Sequence, residues 1–366
     1  MDIDIRLDRI RGPVEPTPHN ARTIAALTNN PGCTRRRVID AAFIDKAALA
    51  AQVGYPFPYG MSPFAITRGN AFEALVTANG CAELLRLLRE VIELPLPEVA
   101  YDDLGSVAGR ETLQARHIRS KQLLAEAARS GEDAGTLFDH PLLKLDVSGR
   151  AVYLEPDLIA FRIGQSFRVV EIKSFPILDR QADPAKVKAA AVQSAVYVLA
   201  LRQFLVSLGF APGLVSHKVV LVCPENFSNR PTAAELDVRK EVAVLSRQLH
   251  RLSTLDAVLG GLPEGFVLDT TRSPAELLNT LSLLEARYVP ECLSACEMAY
   301  LCRSEAAGRT AALGRSVQEQ LGGIETISSV LALAAGTQAP DEHEVESAAR
   351  LRAAEQLRRE CLGGVA

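Results

Sequence analysis

The sequence predicts an α/β protein with a mixed central sheet flanked by helices. Apolar residues recur at three- and four-residue spacing from Gly69 to about residue 94, which is typical of one or two amphipathic helices. Between residues 141 and 175, three β-rich runs are separated by turn residues and predict a meander of three strands. A long apolar helix over about 184–208 and a fourth strand over 217–224 follow.

The same reading divides the chain into four segments. Residues 1–65 form an N-terminal segment of turns and short apolar runs, and residues 66–230 form the α/β core with a helical insertion. Residues 231–310 are predicted to be helical and to end in a group of cysteines. Residues 311–366 are predicted to be a C-terminal helical tail, to which no role is assigned.

The composition limits the classes of protein to consider. The chain has 366 residues, of which 48% are hydrophobic and 23% charged, so it can bury a large core. Its net charge of −4 excludes a surface that is basic throughout, and any contact with nucleic acid must be local. The N-terminus has no apolar signal region and no window reaches the length of a membrane span, so we expect a cytoplasmic protein with no membrane association.

Acidic and basic residues with a spacing suited to phosphodiester hydrolysis lie in the predicted strands. Asp157 follows Pro156 near the middle of the second β-rich run, and Glu171 comes 14 residues later in the third. Because side chains alternate along a strand, Glu171 and Lys173 share one face while Ile172 points into the core. Two carboxylates at one point can hold Mg²⁺ or Mn²⁺, which polarises a phosphate and activates water. An E-x-K triplet by itself is more often an ordinary pair of solvated strand charges, and the adjoining Pro156-Asp157 is what favours catalysis.

Pro156-Asp157 with Glu171-Ile172-Lys173 resembles the signature of the PD-(D/E)xK nuclease superfamily. The resemblance covers roughly residues 30–305 and implies a restriction-endonuclease-like core. In that superfamily the two acids and the backbone carbonyl at the position of Ile172 bind the metal ion, and the lysine orients water or stabilises the transition state. The resemblance therefore implies a metal-dependent phosphodiesterase.

Two further features resemble the RecB-like branch of the superfamily. Gln193 and Tyr197 lie four residues apart on one helix face, as in the Q-x-x-x-Y motif that contacts the active site or DNA. Glu73, on the preceding helix, matches an acidic residue that often lies beside the metal, whereas many RecB-like members have a histidine in that helical motif. The alternative for both features is an ordinary helix surface.

Four cysteines form a second candidate site. Cys33 lies early in the chain, whereas Cys292, Cys296 and Cys302 lie late, and thiolates suit an iron–sulfur cluster or zinc. This layout resembles the iron–sulfur nucleases of the AddB type and the CRISPR-associated RecB-like exonucleases, although the late spacing is C-x3-C-x5-C where the family has C-x2-C-x5-C. It implies a [4Fe–4S] cluster that joins the N- and C-terminal segments. Zinc, or packed thiols without metal, are the alternatives.

The resemblance implies a deoxyribonuclease, in particular an exonuclease, that acts on single-stranded DNA or DNA ends. It also implies a role in antiviral defence, CRISPR adaptation or recombinational repair. Since the chain has no nucleotide-binding G-x-x-x-x-G-K-[ST] loop, any unwinding would need a helicase partner, and an integrase or defence complex is also a candidate partner. The alternative function is a DNA-end-binding or assembly module in which cleavage is secondary.

Overall fold

The computed structural model describes most of the chain, in ten stretches: residues 3–57, 63–92, 100–105, 112–129, 136–147, 150–163, 166–179, 181–226, 228–253 and 255–363. The predicted turns at Ser148-Gly149 and Gly164-Gln165 lie outside the described residues. The chain forms two compact units. One comprises residues 1–16, 29–58 and 258–366, and the other residues 17–28 and 59–257.

The described strands form a six-stranded mixed sheet and a separate hairpin, which confirms the predicted α/β class with a mixed sheet. The strands are β1 Ala100–Asp103, β2 Thr136–Asp139, β3 Leu143–Val147, β4 Arg150–Leu154, β5 Leu158–Ile163, β6 Ser166–Ile172, β7 Lys218–Pro224 and β8 Pro231–Asp237. The large sheet has the order β1-β2-β5-β6-β7-β8, and β3 pairs with β4 in the hairpin. The pairs β1–β2 and β6–β7 are parallel, and the other pairs are antiparallel.

The predicted meander of three strands is wrong in one respect. The second run is not one strand, because the chain leaves β4 at Leu154 and begins β5 at Leu158, in the other sheet. Pro156 lies in this break, where its missing N–H removes a donor from any continuing ladder. Asp157 therefore precedes a strand of the large sheet directly.

The prediction of a helix at residues 231–237 is also wrong, because the structure has the edge strand β8 there. The segment PTAAELD has little β-propensity of its own. It pairs with β7 along its whole length, from Lys218 opposite Asp237 to Pro224 opposite Pro231. The long-range ladder therefore overrides the local preference.

The described helices are, in chain order, α1 Ile3–Arg11, α2 Ala21–Ala25, α3 Thr34–Ala41, α4 Lys46–Gln52, α5 Pro63–Ile92, α6 Leu113–Arg129, α7 Pro184–Ser207, α8 Arg239–Ser253, α9 Asp256–Gly260, α10 Pro274–Ser282, α11 Ala299–Glu305, α12 Arg315–Gln320, α13 Ile327–Ala335 and α14 Val345–Gly363. Short 3₁₀ helices lie at Ala26–Thr28, Pro212–Leu214, Pro290–Ser294 and Thr310–Leu313.

Helix α5 is two helices divided by a break at residues 78–81, which decides between the one or two helices that the sequence left open. Asn79, Gly80 and Cys81 have φ between 54° and 64°, the left-handed region that ends a helix. Its buried face packs on the large sheet in a core that includes Phe72, Val76 and Ile172. The break thus lets one amphipathic run continue over the sheet in a new direction.

Helix α7 begins and ends close to the predicted bounds. The side chain of Asp183 accepts hydrogen bonds from the N–H groups of Ala185 (2.9 Å) and Lys186 (3.4 Å), and Pro184 occupies the first turn. Of the described helices, α7 is the one long and apolar enough to span a membrane, and 67% of its most apolar window is buried inside the protein. That burial is what a core helix of a folded domain shows.

Candidate active site

The strand register places Asp157 beside Glu171. Leu158 pairs with Val170 at the end of the antiparallel β5–β6 ladder, so the next position along brings Asp157 opposite Glu171. Oδ2 of Asp157 accepts a hydrogen bond of 2.8 Å from the backbone N–H of Ile172. The two acids that the sequence singled out therefore lie side by side at one end of these strands.

Glu171 and Lys173 leave the sheet on the face opposite Ile172, as side-chain alternation predicted. Ile172 belongs to the core beneath α5, whereas the Glu171 side chain is wholly buried and forms an ion pair with Nζ of Lys173. Lys173 continues the parallel pairing beyond β6, since its N–H donates to the carbonyl oxygen of Val222 at 2.9 Å. Beyond the ion pair with Lys173, neither carboxylate oxygen of Glu171 has a hydrogen-bond partner among the described residues.

The proximity of these charges shifts their protonation. Burial raises the pKa of Glu171 to about 8, and repulsion from Asp157 acts in the same direction. Burial likewise raises the pKa of Asp157, against the attraction of Lys173. Burial acts to lower the pKa of Lys173, but the carboxylates of Glu171 and Asp157 hold it above its usual value. The site thus concentrates negative charge that a nearby cation relieves.

A histidine that the sequence analysis did not select lies in the same site. Nε2 of His140 lies 2.9 Å from Oε1 of Glu73, and its Nδ1 lies 2.6 Å from Oδ1 of Asp139. Tyr101, on β1, donates a hydrogen bond from its hydroxyl to the other oxygen of Asp139. The contacts with Asp139 and Glu73 raise the pKa of His140 to about 10, so the ring is charged at neutral pH.

The backbone explains how His140 reaches Glu73. It follows the last residue of β2 with φ of 48°, the left-handed region, and its N–H donates to the carbonyl oxygen of Asp157 at 3.1 Å. The sequence offers one signal, an Asp-His pair after a short apolar run, but such a pair is equally typical of a turn before a strand. The pairing of β2 with β5 is what brings it to the site.

Gln193 and Tyr197 lie on α7, on the side of the sheet that carries Glu171. Nε2 of Gln193 donates to the hydroxyl oxygen of Tyr197 at 3.3 Å, which is the i,i+4 contact that the sequence spacing predicts. Burial and the nearby carboxylates of Glu171 and Asp157 raise the pKa of Tyr197 well above its usual value. The structure therefore brings the Q-x-x-x-Y pair to the same acids.

The chemistry of the acid cluster suits a hard divalent cation, but its present arrangement does not form a complete metal site. Asp157, Glu171 and Glu73 supply carboxylate oxygens, and apart from Lys173 no group of the described residues donates to the buried oxygens of Glu171. Among the described residues, however, no three His, Cys, Asp or Glu side chains are arranged so that they could hold one ion. Lys173 and His140 make the contacts with these acids instead.

The four predicted cysteine ligands belong to the other compact unit and are all buried. Cys302 interacts electrostatically with Cys33 and Cys296, although burial is the main reason that the pKa of Cys302 rises to about 12. Asn30 donates from Nδ2 to Sγ of Cys292 at 3.2 Å. Among the described residues, these sulfurs are not arranged so that three of them could hold one metal ion. The [4Fe–4S] cluster therefore stays a prediction.

The remaining cysteines have the environments expected from their sequence contexts. Cys81 and Cys223 are fully buried among apolar residues on the large sheet, and Cys361 is exposed on α14. Burial raises the pKa of both Cys81 and Cys223 to about 12, so both are protonated, unreactive thiols.

Comparison with known proteins adds little to this geometry. No protein-family model matches the chain, and no curated protein matches it. Among solved structures the chain is similar to one described as "Crystal structure of SSO0001", at 14% identity over 69% of this chain and 87% of that chain. The TM-score of that match is 0.25, which is too low for any argument about fold or function.

Proposed function

We propose that this protein is a divalent-cation-dependent deoxyribonuclease of the PD-(D/E)xK type that acts on single-stranded DNA or DNA ends. The observation that carries the proposal is the convergence of Asp157, Glu171 and Lys173 at the end of β5 and β6, with Asp157 hydrogen-bonded to the backbone of Ile172. Tyr197, which accepts a hydrogen bond from Gln193, and Glu73 lie close enough to interact electrostatically with the same acids, from two helices. The mixed sheet and its flanking helices support the restriction-endonuclease-like core.

Asp157, Glu171, Glu73 and the carbonyl oxygen of Ile172 are the groups that would hold Mg²⁺ or Mn²⁺. Such an ion, when bound, polarises the scissile phosphate and lowers the pKa of the attacking water. The acids that would hold it are already oriented by protein contacts: Asp157 by the N–H of Ile172 and Glu73 by Nε2 of His140. Ligands that are held before binding lose less conformational freedom when the ion arrives.

Lys173 supplies a positive charge to the mechanism. Its ammonium is paired with Glu171 and stays protonated, because its pKa lies above the usual value. A protonated amine can donate hydrogen bonds to the attacking water and to the phosphate oxygens that gain negative charge as the P–O bond breaks. Gln193 and Tyr197 provide an amide and a hydroxyl on the adjacent helix face, suited to positioning the strand.

Cys33, Cys292, Cys296 and Cys302 are the proposed ligands of a [4Fe–4S] cluster. Their sulfurs lie among hydrogen-bond donors, since NH1 of Arg35 donates to Sγ of Cys302 at 3.5 Å in addition to the contact from Asn30. N–H donors of this kind stabilise the negative charge of cluster thiolates. Residues 29–58 and 258–366 share one compact unit, so a cluster there would link the early and late parts of that unit.

A metal-titrated cleavage assay tests the proposal. End-labelled single-stranded, double-stranded and end-blocked DNA are incubated with the wild type, Asp157→Asn, Lys173→Ala and the control Lys144→Ala, an exposed lysine on β3. We expect cleavage only with Mg²⁺ or Mn²⁺, a loss of at least about 100-fold in the two site variants, and wild-type activity in the control. DNA binding without cleavage under every metal condition would instead favour an end-binding or assembly module.

A further inference from the structure

A small polar pocket lies next to the candidate active site in the same compact unit. It has a volume of about 90 Å³ and is lined in part by Ser174 and Phe72, the chain neighbours of Lys173 and Glu73. A single water needs roughly 10–15 Å³ on this scale, so the pocket has room for several waters or for one phosphate group. Ser174 follows Lys173 directly in the chain, so one wall of the pocket is next in sequence to the residue that is proposed to contact the scissile phosphate.

The charge of the pocket favours an anion. Of the described residues that line it, Arg68 carries a charge, and the other polar residues are neutral: Ser174, Asn226, Ser228 and Asn229. Among the described residues, no aspartate or glutamate lines the pocket. The Arg68 side chain is exposed, and no ion pair joins it to a carboxylate of the described residues. A guanidinium with no acidic partner, beside neutral polar groups, has N–H donors suited to a phosphate oxygen.

The backbone holds these groups near the end of β6. A Cβ placed on Gly69 would lie 3.9 Å from Oγ of Ser174, so α5 passes this residue at ordinary contact distance and Arg68 is next in the chain. On the other wall, Oδ1 of Asn226 accepts a 3.0 Å hydrogen bond from the N–H of Asp179. That contact leaves the amide NH₂ of Asn226 as the donor available to a ligand.

We propose that the Arg68 pocket binds one backbone phosphate of the DNA strand, the phosphate adjacent to the scissile phosphate. This inference rests on the proposed function, and it assigns a strand-binding subsite to residues outside the acid–lysine set. A local cation of this kind is compatible with a net charge of −4, because contacts to phosphates position the strand without a surface that is basic throughout.

The first test is DNA binding as a function of salt. Fluorescence anisotropy of a labelled single-stranded oligonucleotide, with Ca²⁺ replacing the catalytic cation, gives the affinity of the wild type, Arg68→Ala and Arg129→Ala over a NaCl series. Arg129 is an exposed arginine at the end of α6 that does not line the pocket. We expect Arg68→Ala to weaken binding about tenfold and to lower the salt slope by about 0.7, the value for one phosphate of a single strand. Equal affinity and slope in the two variants would overturn the subsite.

The second test locates the phosphate. Oligonucleotides that carry one neutral methylphosphonate linkage at successive positions are compared on the wild type and on Arg68→Ala. At one position, the neutral linkage should weaken binding to the wild type about tenfold and leave the affinity of Arg68→Ala unchanged. This result is expected when the arginine and that phosphate are in direct contact. If the neutral linkage weakens the binding of both proteins equally at every position, Arg68 does not contact a phosphate.

These tests separate the subsite from the nuclease assignment. Binding in Ca²⁺ does not require cleavage, so an Arg68-dependent salt slope can be measured even if the wild type cuts no DNA. Conversely, metal-dependent cleavage that depends on Lys173 but not on Arg68 would leave the nuclease assignment intact and remove the subsite. For an active enzyme we expect Arg68→Ala to raise KM with little change in kcat.

Discussion

Asp157 and Ile172 are joined by a hydrogen bond between side chain and backbone, from N of Ile172 to Oδ2 of Asp157 at 2.8 Å. The bond crosses from the residue before β5 to the last residue of β6, and it holds Asp157 beside Glu171. The hydrogen bond stabilises the position of Asp157 against the repulsion between the two carboxylates.

The anchor predicts a difference between two neutral substitutions of Asp157. Asparagine keeps an oxygen that can accept from the N–H of Ile172, whereas alanine leaves that buried donor unpaired. Asp157→Ala should therefore be less stable than Asp157→Asn by about 1 kcal/mol, measured as the free energy of unfolding in urea without metal. Equal stability of the two variants would show that the hydrogen bond contributes nothing.

The pKa of Glu171 predicts a pH-dependent stability. Its pKa rises from 4.5 in the unfolded chain to about 8 in the folded protein, so the folded state favours the protonated form. The stability that this provides is fully present below pH 4.5 and is lost as the pH rises through about 8. In EDTA, the free energy of unfolding of Glu171→Gln relative to the wild type should therefore increase steadily across this interval. A difference that does not vary with pH would contradict the burial of an ionisable Glu171.

His140 is predicted to position Glu73. Replacement by glutamine removes the contact that links Glu73 to Asp139, and we expect Mn²⁺ affinity and cleavage to fall by about 10- to 100-fold. His117→Gln is the matched control, because Nδ1 of His117 contacts the carbonyl oxygen of Leu142 rather than an acid of the site. An equal loss in both variants would indicate a general effect on folding instead of a role for His140 at the site.

The proposed cysteine ligands predict that the protein binds iron and that this iron is lost when Cys302 is replaced. Protein purified without oxygen should contain about four iron atoms and absorb in the visible region, as [4Fe–4S] proteins do. Cys302→Ser should lose both signals and unfold at lower temperature, whereas Cys361→Ser, at an exposed position, should keep them. Zinc in place of iron, or no metal in wild-type protein, would contradict the cluster.

The sequence predicted the parts of the site that depend on local geometry. Alternation along one strand was enough to place Glu171 and Lys173 opposite Ile172, and helix spacing was enough to pair Gln193 with Tyr197. These predictions succeed because the geometry of a strand or a helix is the same in every protein.

The parts of the site and of the fold that the sequence did not predict depend on contacts between distant segments. His140 reaches the site only because β2 pairs with β5, and Tyr101 reaches Asp139 only because β1 pairs with β2. Strand β8 resembles a helix in composition and becomes a strand through its ladder with β7. No periodicity within a segment encodes such partners, so the sequence left them undetermined.

The central claim, that Asp157 and Glu171 share one divalent cation, is tested most directly by calorimetric titration of the metal-free protein with Mn²⁺. We predict one or two bound ions for the wild type, and an affinity at least about tenfold lower for both Asp157→Asn and Glu171→Gln. Wild-type protein that binds no Mn²⁺, or that binds it as well without either carboxylate, would contradict the claim.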